Sequence, residues 1–118
     1  MKKEIIYFDD IDREITYLVG KNKQDNFHII DISSPDDIWF HANNVSSCHV
    51  ILQLPEDISD KKILKILIKK GALLCKQNTH KLNNEKNVEI IYTFLKNVTK
   101  TKVCGCVTTK NTKSLYVN

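Results

Sequence analysis

Proline and glycine are scarce, with two and three residues in a chain of 118. So few breakers leave no room for a Pro/Gly-rich linker, and neither an internal repeat nor a low-complexity tract is visible. Elements must therefore be read from periodicity rather than from punctuation. Long apolar runs are missing too. None approaches the roughly 20 residues needed to cross a bilayer, and the apolar start of the chain stops at Asp9-Asp10, too early for a secretory signal. The expectation is one intracellular, cytoplasmic domain over residues 1–118, away from membranes, its four cysteines reduced. Metal-ligand spacing is absent as well. Cys104-Gly105-Cys106 has no second pair to complete a zinc site, so no metal or cofactor is expected. Gly20-Lys21-Asn22-Lys23 has too few glycines for a phosphate-cradling loop of the Walker type.

Acidic residues are nearly absent from the second half. Residues 1–60 carry five Lys/Arg and twelve Asp/Glu, whereas residues 61–118 carry thirteen lysines and two acids, with no acid from Ile90 onward. Such asymmetry suits a basic face that displaces counterions from a phosphate backbone. It also suits a fold that interleaves the halves and spreads the charge.

Alternation predicts strands over Glu4–Phe8 and Glu14–Val19, joined by an acidic turn, and over Asp37–Ala42 and Cys48–Leu54, joined by the loop Asn43–Ser47. Further strands are expected at Val88–Leu95, Gly105–Lys110 and Ser114–Val117, the last two as a hairpin about Asn111-Thr112-Lys113. The polar stretch 21–31 has room for a short helix. A long helix is expected from about 59 to 81, capped by Asp57 or Ser59, because Leu64, Leu67, Ile68, Gly71, Ala72 and Cys75 recur at helical spacing. Lys62, Lys65, Lys69 and Lys76 fall on another stripe of that helix, either a solvated face or a phosphate-binding one. The fold class is α+β: mainly antiparallel strands packed with one long helix.

Across the 43–47 loop, Phe40 should face Val50, Trp39 should face Ile51 and His41 should face His49. Ile38, Phe40, Val50 and Leu52 then form a core face, and Trp39, His41, His49 and Ile51 share the other. Two imidazoles beside an indole can stack on bases or bond to ribose and phosphate, more strongly on acidification. They can equally form a second core layer satisfied by the Ser46 and Ser47 hydroxyls. Cys48 or Ser47 beside a histidine is weak ground for a nucleophilic mechanism, since nothing specifies an orienting third group such as Asp36 or Asp37. No catalytic residue is assigned and the protein is not expected to be an enzyme. Alternate placement of Cys104 and Cys106 on a strand would point both thiols the same way.

These pieces taken in order resemble the NFACT-R (NFACT RNA-binding) domain family. The resemblance rests on Asp36-Asp37-Ile38-Trp39-Phe40-His41 with Ser47-Cys48-His49-Val50-Ile51-Leu52, the polar segment Gly20–Asn26, the strand ending in Tyr92-Thr93, and the closing segment Gly105–Val117. It implies an α+β RNA-binding domain. In the large ribosome-rescue proteins the module is joined to other domains, and those proteins bind tRNA and the large ribosomal subunit and help to tail stalled chains. No heptad run or second domain is seen here, so the chain resembles a stand-alone form and tail synthesis is not carried over. Lys21, Asn22, Lys23, Gln24, Asp25, Trp39, His41, Ser47 and His49 match the family motifs. Cys48, Cys75 and Cys106 depart from the small or apolar residues usual there. The implied partner is structured RNA, tRNA or rRNA, with the ribosome or translation factors beyond it. Phosphate contacts are expected from Lys76, Lys81, Lys96, Lys100 and Lys102, and base or ribose contacts from Lys21–Gln24, Trp39, His41, Ser47 and His49. The alternative is a protein-interaction module docking on a ribosomal or tRNA-modifying partner, whose associations would survive nuclease treatment.

Overall fold

A computed structural model describes all 118 residues. A six-stranded antiparallel sheet runs in the order β1 (Lys2–Phe8), β2 (Arg13–Gly20), β4 (His49–Leu52), β3 (Ile38–Ala42), β5 (Val88–Phe94), β8 (Lys113–Val117). Helix α1 (Lys23–Asp31) follows β2, helix α2 (Lys61–Gln77) follows β4, and β6 (Val98–Lys100) pairs with β7 (Val107–Thr109) as a separate ribbon. The α+β class, the long helix and the short helix near 21–31 are therefore as the sequence predicts. No helix is long and apolar enough to cross a membrane.

The sheet is covered on both faces. Ile15, Tyr17, Val19, Ile38, Phe40, Val50, Leu52 and Ile90 pack against Leu67, Ala72, Leu74 and Cys75 of α2 to form the main core. Gly71 lets the helix backbone settle on the Phe40 ring, where an added Cβ would overlap the ring carbons. Tyr17, fully buried, donates its hydroxyl to the Leu67 carbonyl at 2.7 Å. The opposite face carries a smaller cluster of Leu18, Ile29, Trp39, Ile51 and Leu95, covered by α1 and by Val98 and Val107 of the ribbon. Each large side chain so buried contributes about 1.5–3 kcal/mol relative to exposure.

The central register matches the alternation: Ile38 faces Leu52, Trp39 faces Ile51 and Phe40 faces Val50. Other expectations need correction. β7 and β8 are not a hairpin, because β8 closes the sheet against β5 while β7 returns to β6, a three-residue strand with too little pattern to be read. Asn111 turns the chain between the two sheets at φ 54°. Helix α2 is shorter than predicted at both ends. Its cap is Asp60, which accepts from Lys62 N at 2.8 Å and Ile63 N at 3.3 Å, while Asp57 instead takes both arms of a pairing with Arg13. Cys104 and Cys106 lie in the loop of the ribbon rather than on a strand, around Gly105 at φ +81°.

Candidate nucleic-acid interface

The face carrying Trp39 opens at one end into a cleft of about 390 Å³, walled by Trp39, His41, His49, Ile91 and the 104–107 loop, with Lys23 and Asn26 on its rim. It adjoins a second cleft lined by Lys21, Asn22, Lys23, Ser46, Thr79, His80 and Lys81; Lys23, Asn26, Ser46 and Ser47 belong to both. No Asp or Glu lines either cleft. None of Lys21, Lys23 and Lys81 is paired with a carboxylate, the ion pairs of the chain falling elsewhere.

Local structure explains why these side chains converge. Asn22 caps α1 by accepting from Asp25 N at 2.8 Å, so Lys23 sits in the first turn at the groove. Asp25 is taken by the N-terminal ammonium at 3.0 Å, which holds its carboxyl below the usual range. Gly20 lies against Asn26, whose Oδ1 accepts from His49 N at 3.3 Å, locking α1 to the start of β4. The ribbon loop rests on α1: a Cβ at Gly105 would come within 2.9 Å of Lys23 Cα. Thr79 joins the end of α2 to β4, accepting from Cys48 N at 3.1 Å and donating to the Cys75 carbonyl at 2.8 Å. That places His80 and Lys81 beside the 43–47 loop. Ser47 Oγ closes the loop, accepting from Ala42 N at 3.0 Å and donating to the Cys48 carbonyl at 2.9 Å.

The imidazoles find partners other than the serines expected. Trp39 Nε1 donates to His49 Nδ1 at 3.1 Å, and His41 Nδ1 donates to the Ala42 carbonyl at 2.6 Å. His41 stacks on Trp39 with centroids 5.6 Å apart and planes 7° from parallel, and meets His49 edge-on at 5.0 Å. Burial, with His41 adding repulsion, pushes the His49 pKa down to about 3; burial and nearby Lys81 lower that of His41, against its bond to Ala42. The pair is a neutral hydrogen-bonding surface, and acidification does not readily turn it into a phosphate clamp.

Other predicted residues are spread more widely. Lys76 is buried, 4% exposed, and donates to the Asn83 carbonyl at 2.8 Å, so its charge is not presented to a ligand. Lys96 pairs with Asp36 at 3.5 Å over the Phe94 ring, and Lys100 with Asp31 at 2.6 Å over the Phe27 ring. Lys102 is exposed in the ribbon loop and Gln24 is exposed on α1, neither lining the groove. Lys62, Lys65 and Lys69 are exposed on α2, across the sheet from the cleft. Neither Ser47 nor Cys48 bonds an imidazole, and the Asp37 carboxylate is occupied by Ser34 N and Leu54 N. No three His, Cys, Asp or Glu side chains converge as a metal set. Asn26, His80 and the 104–107 loop are groove residues that sequence reasoning missed; short polar side chains carry no periodic signal.

The chain is similar to known proteins over most of its length. The profile of the NFACT protein RNA binding domain matches residues 4–111. A coiled-coil domain-containing protein 25 homolog of Dictyostelium discoideum is 35% identical over 97 residues, 82% of this chain and 47% of that protein. Coiled-coil domain-containing protein 25 of Mus musculus is 36% identical over 86 residues, 73% of this chain and 41% of that protein. The chain thus spans less than half the length of these relatives. Among solved structures, the C-terminal part of the fibronectin/fibrinogen-binding protein from Streptococcus suis is similar over 99% of this chain and 45% of that one, with TM-score 0.78 and 25% identity.

Proposed function

The chain belongs to the NFACT RNA-binding domain family, and on that footing we propose that it binds structured RNA, tRNA or rRNA, in translation or ribosome quality control, without turning over a substrate. One observation carries the reading. Two adjoining clefts contain no carboxylate, and three lysines without acidic partners line the one bearing Lys21 and Lys81. Fourteen acidic residues occur in the chain, so their exclusion from this groove favours a polyanion as its occupant. The ammonium groups supply the salt-dependent, sequence-independent part of the affinity. The neutral imidazoles and the exposed amides of Asn22 and Asn44 supply hydrogen bonds suited to unpaired nucleotides. A cytoplasmic setting fits this role.

The test is a filter-binding titration with total tRNA across a salt series. Micromolar or tighter binding at low salt, weakening steeply as salt rises, is the expected result. Millimolar binding at low salt would overturn the reading, and flat affinity across the series would remove the lysines from it.

A further inference from the structure

The two imidazoles are fixed in opposite tautomers. An indole N–H can only donate, so His49 Nδ1, 3.1 Å from Trp39 Nε1, holds a lone pair and the ring proton sits on Nε2. A peptide carbonyl can only accept, so His41 Nδ1, 2.6 Å from the Ala42 oxygen, carries its proton and Nε2 is bare. Every side-chain nitrogen or oxygen closed off from solvent in this chain has a hydrogen-bond partner. Neither Nε2 has one, so both reach solvent, and both rings line the cleft. A donor and an acceptor are thus carried by neighbouring rings, with centroids 5.0 Å apart and planes 88° from parallel.

That arrangement selects among ligands. Phosphate and carboxylate oxygens only accept; they would satisfy His49 and set a lone pair against His41. The hydrogen-bonding edge of a nucleobase offers a donor and an acceptor next to each other in one plane. Trp39, Ile91 and Val107 give the cleft apolar walls for a flat ring, and its volume lies in the range of small-ligand pockets. Lys23 stands on the rim, with Lys21 and Lys81 in the next cleft, where phosphates flanking an inserted base would run.

We propose that this cleft holds one unstacked base of an RNA strand, its edge read by His49 Nε2–H and His41 Nε2 while the neighbouring backbone runs past Lys21 and Lys23. The proposal rests on the RNA-binding reading above.

The experiment compares fluorescence anisotropy titrations of a mixed-sequence RNA hexamer and of an abasic ribose-phosphate hexamer. The wild type should prefer the base-bearing strand by about tenfold or more, the worth of a good paired hydrogen-bond contact. His41→Phe, which keeps a ring on Trp39, should bring that preference below about threefold, and His41→Gln provides a second variant if the first folds poorly. Lys21→Ala with Lys81→Ala should weaken both strands and leave the preference intact. Equal wild-type binding of the two strands would overturn the base pocket while leaving RNA binding standing. No binding of either strand at low salt would remove both. Preference undiminished in both His41 variants would also overturn the proposal, as would free AMP or CMP binding as tightly as the hexamer.

Discussion

The Trp39 indole donates to Nδ1 of His49 at 3.1 Å, and through that contact a core residue decides which nitrogen of a groove residue carries the ring proton. Trp39→Phe should therefore have two effects. Loss of the donor leaves a buried acceptor unpaired, costing about 1–3 kcal/mol, with some further loss from the smaller ring. The released imidazole can then carry its proton on either nitrogen, so preference for base-bearing RNA should fall in a protein that still folds. Urea unfolding gives the first effect and imidazole ¹⁵N chemical shifts the second. An unchanged His49 tautomer in the variant would refute the linkage.

The burial of His49 gives stability a definite pH dependence. His49 is neutral in the fold, with its pKa pushed down to about 3, first by burial and then by His41, against an ordinary value of 6.5. The unfolded chain takes up the proton first. Stability is therefore full above about pH 6.5 and is lost progressively as pH falls toward 3, at about 1.4 kcal/mol per unit for one group. By pH 5 the loss should be about 2 kcal/mol. His41, also lowered, acts in the same direction. Comparison of wild type with His49→Phe by urea unfolding between pH 7 and 4.5 should show a shallower acid limb in the variant. Parallel limbs would exclude His49 as the source.

Gly71 carries a prediction about the opposite face. Alanine is ordinarily favoured over glycine inside a helix by about 1 kcal/mol. Here the new methyl would press on the Phe40 ring, which is 0% exposed and held between strands. Overpacking of this kind costs about 1–3 kcal/mol and should outweigh the helical gain. Gly71→Ala is expected to lower the urea midpoint while RNA binding by the folded fraction is unchanged. A raised midpoint would mean that α2 can lift from the sheet without loss.

What the sequence made legible was local. The β3–β4 hairpin is short and strictly alternating, so its register and both its faces follow from the order of the residues alone. Helix α2 repeats often enough for its apolar face to be read, but Asp57, Ser59 and Asp60 are all good cap types, and nothing local to the sequence shows that Asp57 pairs with Arg13 while Asp60 takes the cap. Pairing at long range was not legible. A tight turn at Asn111 looks the same whether it joins strands of one sheet or two, and β8 finds β5 through a register that nothing near it encodes. Lys76 occupied a polar stripe by spacing, yet its long stem lets the ammonium reach the Asn83 carbonyl while the residue stays buried. In the groove, the His41/His49 face was visible from alternation. Its partners were not, because a hydrogen bond to an indole or a carbonyl leaves no mark on spacing.

The lysines separate by their surroundings, and salt dependence can report that separation. Lys21, Lys23 and Lys81 line the clefts and make no ion pair, whereas Lys96 and Lys100 are held by Asp36 and Asp31. Each phosphate neutralised on a single strand adds about 0.7 to the slope of log affinity against log salt. Replacing Lys21, Lys23 and Lys81 together by alanine should then reduce the magnitude of that slope by about 2. Replacing Lys96 and Lys100 should change it by less than about 0.7, since an ammonium already matched to a carboxylate releases few counterions from RNA. Net charge falls by three in the first variant and by two in the second, so a purely global charge effect would make the two changes similar. A slope that tracks net charge alone would count against a localised phosphate path. A slope that collapses only in the groove variant would locate the RNA backbone along the cleft lined by Lys21, Lys23 and Lys81.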